Sequence, residues 1–204
     1  MISILNWFNY SLIFLFITIS FFHHNYDYGW EIYFYKEITI SVSVLIFFIW
    51  LFKAYSRWRK LKILGSQDGF KITIQGWYKA LFNEILLHFF YVIVIVFLLY
   101  FIENTMLFVG VICLLIIEGI IFLIKGKSKF KLVISQNTII ILNNRPHFIF
   151  WDNVKNIIFQ YNGLIISLNN NKQYFIDELE FINSNNWKEI FEKQAISKGI
   201  YVQN

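Results

Sequence analysis

Three ionisable side chains occupy stretches that are otherwise apolar, and they are the residues whose chemistry must be explained first. Glu84 and His88 stand four residues apart within residues 81–102, a spacing that puts both on one face of a helix. Glu118 lies in the next apolar stretch, residues 106–124. If the first stretch starts on the inner side of a membrane, His88 lies roughly 10 Å along it, and Glu118 lies roughly 9 Å before the end of the returning stretch, at 1.5 Å per residue. The three then share a depth. Carboxylate and imidazole together could pass protons or bind a divalent metal such as zinc or manganese. The plainer expectations are a polar clasp between two helices, with His88 bonded to a carboxylate, or Glu84 reaching back to the interface.

Signatures of other chemistry are missing. The chain has no His-Glu-x-x-His, no Walker-type glycine loop, no Gly-x-Ser-x-Gly elbow and no Cys-His pair. The expectation is therefore a protein that is not an enzyme, with no catalytic residue, cofactor or metal. His23 and His24 are adjacent, without helical ligand spacing, and are expected in a solvated loop. Cys113 is the only cysteine, so no intramolecular disulfide can form, and an apolar filler role is expected.

The elements that would position these groups are membrane spans. The chain is 57% hydrophobic, 21% aromatic and only 15% charged, where about a quarter charged is usual for soluble domains. Four spans are expected, over residues 4–22, 38–52, 81–102 and 106–124, each near the roughly 20 residues a crossing helix needs. The second is short unless the aromatic run before it extends it. The first lacks a preceding base and a small-x-small cleavage pattern, so it reads as a retained span and not a signal peptide. The segment between spans two and three holds Lys53, Arg57, Arg59, Lys60, Lys62, Lys71 and Lys79 against Asp68, and Lys125, Lys127, Lys129 and Lys131 follow span four. The opposite loops hold Asp27, Glu31, Glu37 and Glu103 against Lys36. That bias predicts both termini in the cytoplasm of a multi-pass membrane protein. The formal charge of +5 is then a topology signal, and no nucleic-acid partner is expected. Tyr26, Tyr28, Trp30, Tyr33, Phe34 and Tyr35 fit an aromatic belt at the outer interface.

After residue 128 the pattern changes. Phe130, Leu132 and Ile134 alternate with Lys131 and Val133, as in a strand. A turn at Gln136-Asn137, a β-branched run over 138–142, a break at residues 143–146 and a strand over 147–150 follow. Asn162-Gly163 between two apolar runs predicts a two-residue hairpin. A strand over 172–176 is next. The end reads as a helix opened by Asn186 and Glu189 as a capping box. Its apolar stripe would run through Trp187, Ile190, Phe191 and Gln194, with a Glu189–Lys193 pair and a stop at Gly199.

The run Phe148-Ile149-Phe150-Trp151-Asp152-Asn153-Val154, followed by Ile157, resembles the Ile-x-Trp-Asp-x-Ile step of bacterial pleckstrin-homology-like (PH-like) domains, of the kind in YcxB-like membrane proteins. The resemblance covers about residues 129–197, with Val154 in place of the commoner Ile. It implies that a strand ends, Trp151 and Asp152 turn the chain, and Val154 re-enters the core. Asp152 is expected to cap backbone N–H groups and not to act as an acid. The family also implies an early strand ahead of a two-span hairpin, and Phe70-Lys71-Ile72-Thr73-Ile74-Gln75 alternates like one. The alternative for this segment is an amphipathic surface loop.

The expected fold is thus a membrane α-helical protein with four transmembrane helices and an α+β cytoplasmic PH-like domain, an antiparallel strand-rich sheet closed by one C-terminal helix. Its parts are an N-terminal transmembrane hairpin over 1–60 with an outer loop at 23–37, a cytoplasmic segment over 61–80 with a first strand at 70–75, a second hairpin over 81–124, and the PH-like domain over 128–204. The partners expected are the lipid bilayer and a protein bound at the cytoplasmic domain. Specific lipid headgroup recognition is not supported, because the first strand turn carries no base. A non-catalytic scaffold or regulator is the leading expectation. The alternatives are an immunity or stress-protection protein against a toxin, and a small transporter or membrane enzyme built on Glu84, His88 and Glu118.

Overall fold

Long helices with apolar outer surfaces make up the first part of the chain. In a computed structural model, residues 2–24, 33–101, 105–144, 146–160 and 162–203 are described. The expectations placed on Tyr26, Asp27, Tyr28, Trp30, Glu31, Glu103 and residue 145 lie outside them. The chain forms two compact units, one of Met1–Trp58 with Ile85–Ile121 and one of Arg59–Glu84 with Phe122–Asn204.

The first unit contains helix α1 (Ile2–His24) and most of α2 (Tyr35–Gly65), α3 (Ile74–Phe101) and α4 (Met106–Gly126). Among the described residues, α2, α3 and α4 are long and apolar enough to cross a membrane, while the described apolar part of α1, Trp7–His23, is shorter. All four helices feed one core, with Ile13 and Phe16 from α1, Ile46 from α2, Leu98 from α3 and Phe108 and Ile112 from α4. Phe16 stacks on Phe108 at 4.2 Å. Trp7, Phe14, Phe48, Phe89 and Val96 point outward and are exposed. An apolar exterior this extensive is untenable in water and natural in lipid.

Two expectations near the first loop are corrected. Tyr35 is not part of a belt but is buried, with its hydroxyl donating to Ser20 Oγ at 2.9 Å. His23 is helical, not in a loop, and its ring stacks on Tyr35 at 4.0 Å. A third correction concerns α2, which continues well past residue 52 to Gly65. No Pro or Gly interrupts residues 52–64, so nothing there breaks the helix. Lys53, Arg57, Arg59, Lys60 and Lys62 therefore ride on a helix and not in a loop. At 31 residues α2 is about 46 Å long, more than the roughly 30 Å of hydrocarbon.

The second unit carries the strands. β1 (Phe70–Lys71), β2 (Lys131–Ile134), β3 (Thr138–Leu142) and β4 (His147–Phe150) form an antiparallel sheet in that order. β1 pairs with β2 through Phe70 opposite Leu132 and Lys71 opposite Lys131. Ile72 N–H extends this pairing by donating to Phe130 O at 3.0 Å. The strand expected over 70–75 is cut short because Thr73 opens α3, its Oγ1 accepting from Gly76 N–H at 3.0 Å. That is an N-cap.

The second sheet has the order β7-β6-β5-β8, from β5 (Val154–Gln160), β6 (Gly163–Leu168), β7 (Gln173–Asp177) and β8 (Tyr201–Gln203). The β5–β6 hairpin keeps the expected two-residue connection but shifted back by one position. Gly163 is already paired, opposite Gln160. Its φ is 156°, and a Cβ there would meet Ile176 O at 2.1 Å, so only glycine fits.

Helix α5 (Ser184–Ser197) closes the sheets through Trp187, Phe191 and Ala195. Its buried stripe is Trp187-Phe191-Ala195, with Ile190 and Gln194 at its margin. The expected capping box does not form, because the helix starts earlier, from Asn183 at φ 57°. Asn186 is already inside it. The stop at Gly199 does form. Gly199 has φ 68°, and Ile200 N–H donates to Ala195 O at 2.9 Å while Gly199 N–H donates to Ile196 O at 3.0 Å, the Schellman pattern. The reversed chain then adds β8, parallel to β5. The sheets and α5 share one core, which includes Leu132, Ile139, Ile149, Ile157, Ile166 and Trp187.

Candidate functional site

Of the three candidates, His88 and Glu118 lie in the first unit and Glu84 in the second. Glu118 on α4 accepts from Arg57 Nη2 at 2.6 Å and from Trp58 Nε1 at 2.6 Å. Arg57 and Glu118 are 22% and 16% exposed. This clasp exists because α2 stays helical past residue 52 and carries Arg57 to the level of Glu118. Sequence reasoning counted Arg57 only as a topology charge. The unbroken helix-forming run over 52–64 was the signal for it.

His88 is seated against Gly119. A Cβ on Gly119 would come within 2.3 Å of His88 Nε2, so the missing side chain makes the space that the imidazole fills. Tyr91 lies edge-on to the same ring at 6.5 Å. Glu84 belongs to the second unit. It is buried there, and its Oε2 accepts from Asn144 Nδ2 at 3.4 Å; the same Nδ2 lies 3.4 Å from Ala80 O. Among the described residues no three His, Cys, Asp or Glu side chains are grouped to hold a metal ion. Chemically, what the arrangement supplies is a charge-neutralised clasp at Glu118, a packed imidazole at His88 and an amide-bound carboxylate at Glu84.

The Trp151-Asp152-Val154 step turns the chain from one sheet to the other. Trp151 is buried, its Nε1 donates to Ser135 O at 2.8 Å and its ring lies 5.8 Å from Phe191. It opens a 3₁₀ turn over Trp151–Asn153, and Val154 ends that turn by donating its N–H to Trp151 O. Val154 is buried at the head of β5. Asp152 is exposed, and the turn starts at Phe150 without a side-chain cap. Among the described residues no hydrogen bond joins the Asp152 side chain to a backbone N–H, so the expected cap is not seen, and Trp151 N–H donates to Asn137 O at 3.2 Å.

Lys131 is a residue the sequence misplaced. Expected as a topology charge on the strand face opposite Phe130, Leu132 and Ile134, it is only 8% exposed. Its Nζ donates to Gly65 O at 2.9 Å and to Gln67 O at 2.5 Å. The ammonium thus closes the carbonyl end of α2, where a cation is favoured. Burial pushes its pKa below the ordinary lysine value, while Asp68 opposes that shift.

The free edge of the first sheet is β4. Trp151 and Asn137 form a hydrogen-bonded pair, and pairs in an antiparallel ladder alternate. Ile149 with Ile139 is therefore the next bonded pair, and Phe148 and Phe150 turn their backbone N–H and C=O groups away from β3. Phe150 gives its C=O to the 3₁₀ turn it caps, and among the described residues no bond outside the regular elements engages the Phe148 N–H and C=O or the Phe150 N–H. Their rings are 43% and 52% exposed, and Lys60 Nζ lies 6.0 Å from the Phe148 ring centroid. The edge therefore offers unpaired main-chain groups beside two aromatic side chains.

Set against protein-family models, curated proteins and solved structures, the chain matches none.

Proposed function

We propose that this is a multi-pass protein of the bacterial inner membrane with four spans, both termini in the cytoplasm and a cytoplasmic PH-like domain, acting as a non-catalytic scaffold that binds a protein partner. The observation that carries the partner reading is the open β4 edge with Phe148 and Phe150 exposed on it. An extended segment added there would gain main-chain hydrogen bonds from the edge and side-chain contact from the two rings. Apolar edges of this kind are usually blunted by charge, proline or a bulge, and β4 carries none of these. The order of the two sheets, the Trp151 turn between them and the closing helix α5 support the PH-like assignment. The lysine and arginine bias supports the orientation.

The test is a photo-crosslinking residue placed in the full-length protein at Phe148, at Phe150 or at Phe175, which projects from the other sheet. The reading expects one partner segment captured from the first two positions, no capture from Phe175, and loss of capture when Phe148→Pro accompanies the probe at 150. Equal capture from all three positions, or capture indifferent to the proline, contradicts it.

A further inference from the structure

We propose that the root of α4 holds a binding site for the phosphate of an anionic phospholipid, formed by Lys125, Lys127 and Lys129 around Trp77. This rests on the reading that α4 crosses the membrane. Lys125 ends that helix, and Lys127 and Lys129 follow it directly. All three are exposed. Among the described residues no carboxylate pairs with any of them. Four other lysines of this unit are committed elsewhere, Lys79 to Glu180, Lys188 to Glu178, Lys193 to Glu189 and Lys131 to backbone carbonyls. An unbalanced cluster of three cations is left at one helix end.

Lys127 and Lys129 are also ordered by what surrounds them. Trp77 Nε1 donates to Leu123 O at 3.2 Å, which fixes the indole against the last turns of α4. Lys127 Nζ sits 5.0 Å from the centroid of that indole, within cation–π range. The Lys129 methylenes lie against Gly65, where a Cβ would meet Cδ at 3.0 Å. Side chains held this way give up less freedom on binding than free surface lysines. Tyr78 and Phe82, near the start of α3, are exposed, and tryptophan and tyrosine favour the headgroup level of a bilayer. One cation held on a pinned indole at that level, with Lys125 and Lys129 two residues to either side of it in sequence, complements a phosphodiester. The cytoplasmic leaflet supplies anionic lipid at high local concentration.

The experiment is native mass spectrometry of the full-length protein released from nanodiscs of mixed phosphatidylglycerol and phosphatidylcholine, with and without excess inorganic phosphate. The wild type is expected to retain phosphatidylglycerol over phosphatidylcholine. Lys125→Gln, Lys127→Gln and Lys129→Gln should each lower that preference about fivefold. Lys155→Gln, on an exposed position of β5, should leave it unchanged. Equal retention of the two lipids, or equal loss from the Lys155 variant, overturns the proposal. So does displacement by free phosphate, which would make the ligand a soluble anion. A protein that stays soluble without detergent and carries neither lipid would instead overturn the membrane reading itself, and this proposal with it.

Discussion

Removing Arg57 is the perturbation whose size follows most directly from the structure. Arg57→Ala leaves the Glu118 carboxylate with Trp58 Nε1 as its remaining donor. Stranding one member of a buried ion pair costs about 3–5 kcal/mol. The pair is 22% and 16% exposed, and one hydrogen bond survives, so the expected loss is about 2–4 kcal/mol. At about 2–4 °C per kcal/mol for a chain of this size, the midpoint should fall by about 4–16 °C. Glu118→Gln should cost less, because the amide oxygen still accepts from Trp58 and Arg57 retains some access to water. The double variant Arg57→Ala with Glu118→Gln should lose less than the sum of the two single losses, with a coupling of about 0.5–3 kcal/mol. Thermal unfolding of the four proteins in nanodiscs, followed by circular dichroism, reads all of these. A loss under about 1 kcal/mol for Arg57→Ala, the range of a surface pair, would refute the clasp. So would strictly additive losses in the double variant.

Three further outcomes follow. Gly119→Val should destabilise the protein by about 1–3 kcal/mol through overpacking, because its Cβ would fall 2.3 Å from His88 Nε2; adding His88→Ala should restore most of the loss, and thermal unfolding of the pair checks this. Lys131→Met should cost roughly 1–3 kcal/mol by leaving the Gly65 and Gln67 carbonyls without a donor, read in the same assay. The Glu178 carboxyl is held below its ordinary pKa by hydrogen bonds from Lys188 and Ser184. The folded state therefore binds that proton less readily than the unfolded one. Its contribution is present above the ordinary carboxyl value of 4.5 and fades as pH falls through the folded value. Glu178→Gln should flatten that part of a stability–pH profile, and an unchanged profile would contradict the assignment.

Much of the strand order was legible because local chemistry decides it. β-branched runs marked β3 and β5, the break after residue 142 set off β4, and the Trp151-Asp152 turn separated the sheets. Gly199 announced its own stop. The failures share a cause, which is that tertiary partners decide where an element ends. Nothing within residues 52–64 says whether the helix continues, since charged residues are as much at home in a helix as in a loop. Thr73 reads as a β-branched strand residue until its hydroxyl is seen capping α3. Asn186 looked like the cap, but a left-handed residue at Asn183 starts the helix sooner. β8 was invisible because three residues after a helix carry no periodic signal. At the candidate site, Glu84, His88 and Glu118 were found from their intrusion into apolar stretches. Their partners, Arg57, Trp58, Asn144 and Gly119, lie far away in sequence, and two of those are types that rarely draw notice.

The central claim is that the strand-bearing unit is a split domain, begun by Phe70–Lys71 ahead of α3 and resumed after α4. Hydrogen exchange of residues 68–73 in the full-length protein in nanodiscs tests it most directly. The Ile72 amide donates to Phe130 O and the Thr73 amide to Glu180 O, so both should exchange as slowly as β2 and β3. Exchange of Ile72 and Thr73 at the rate of a solvated loop, with β2 and β3 still protected, would contradict the account.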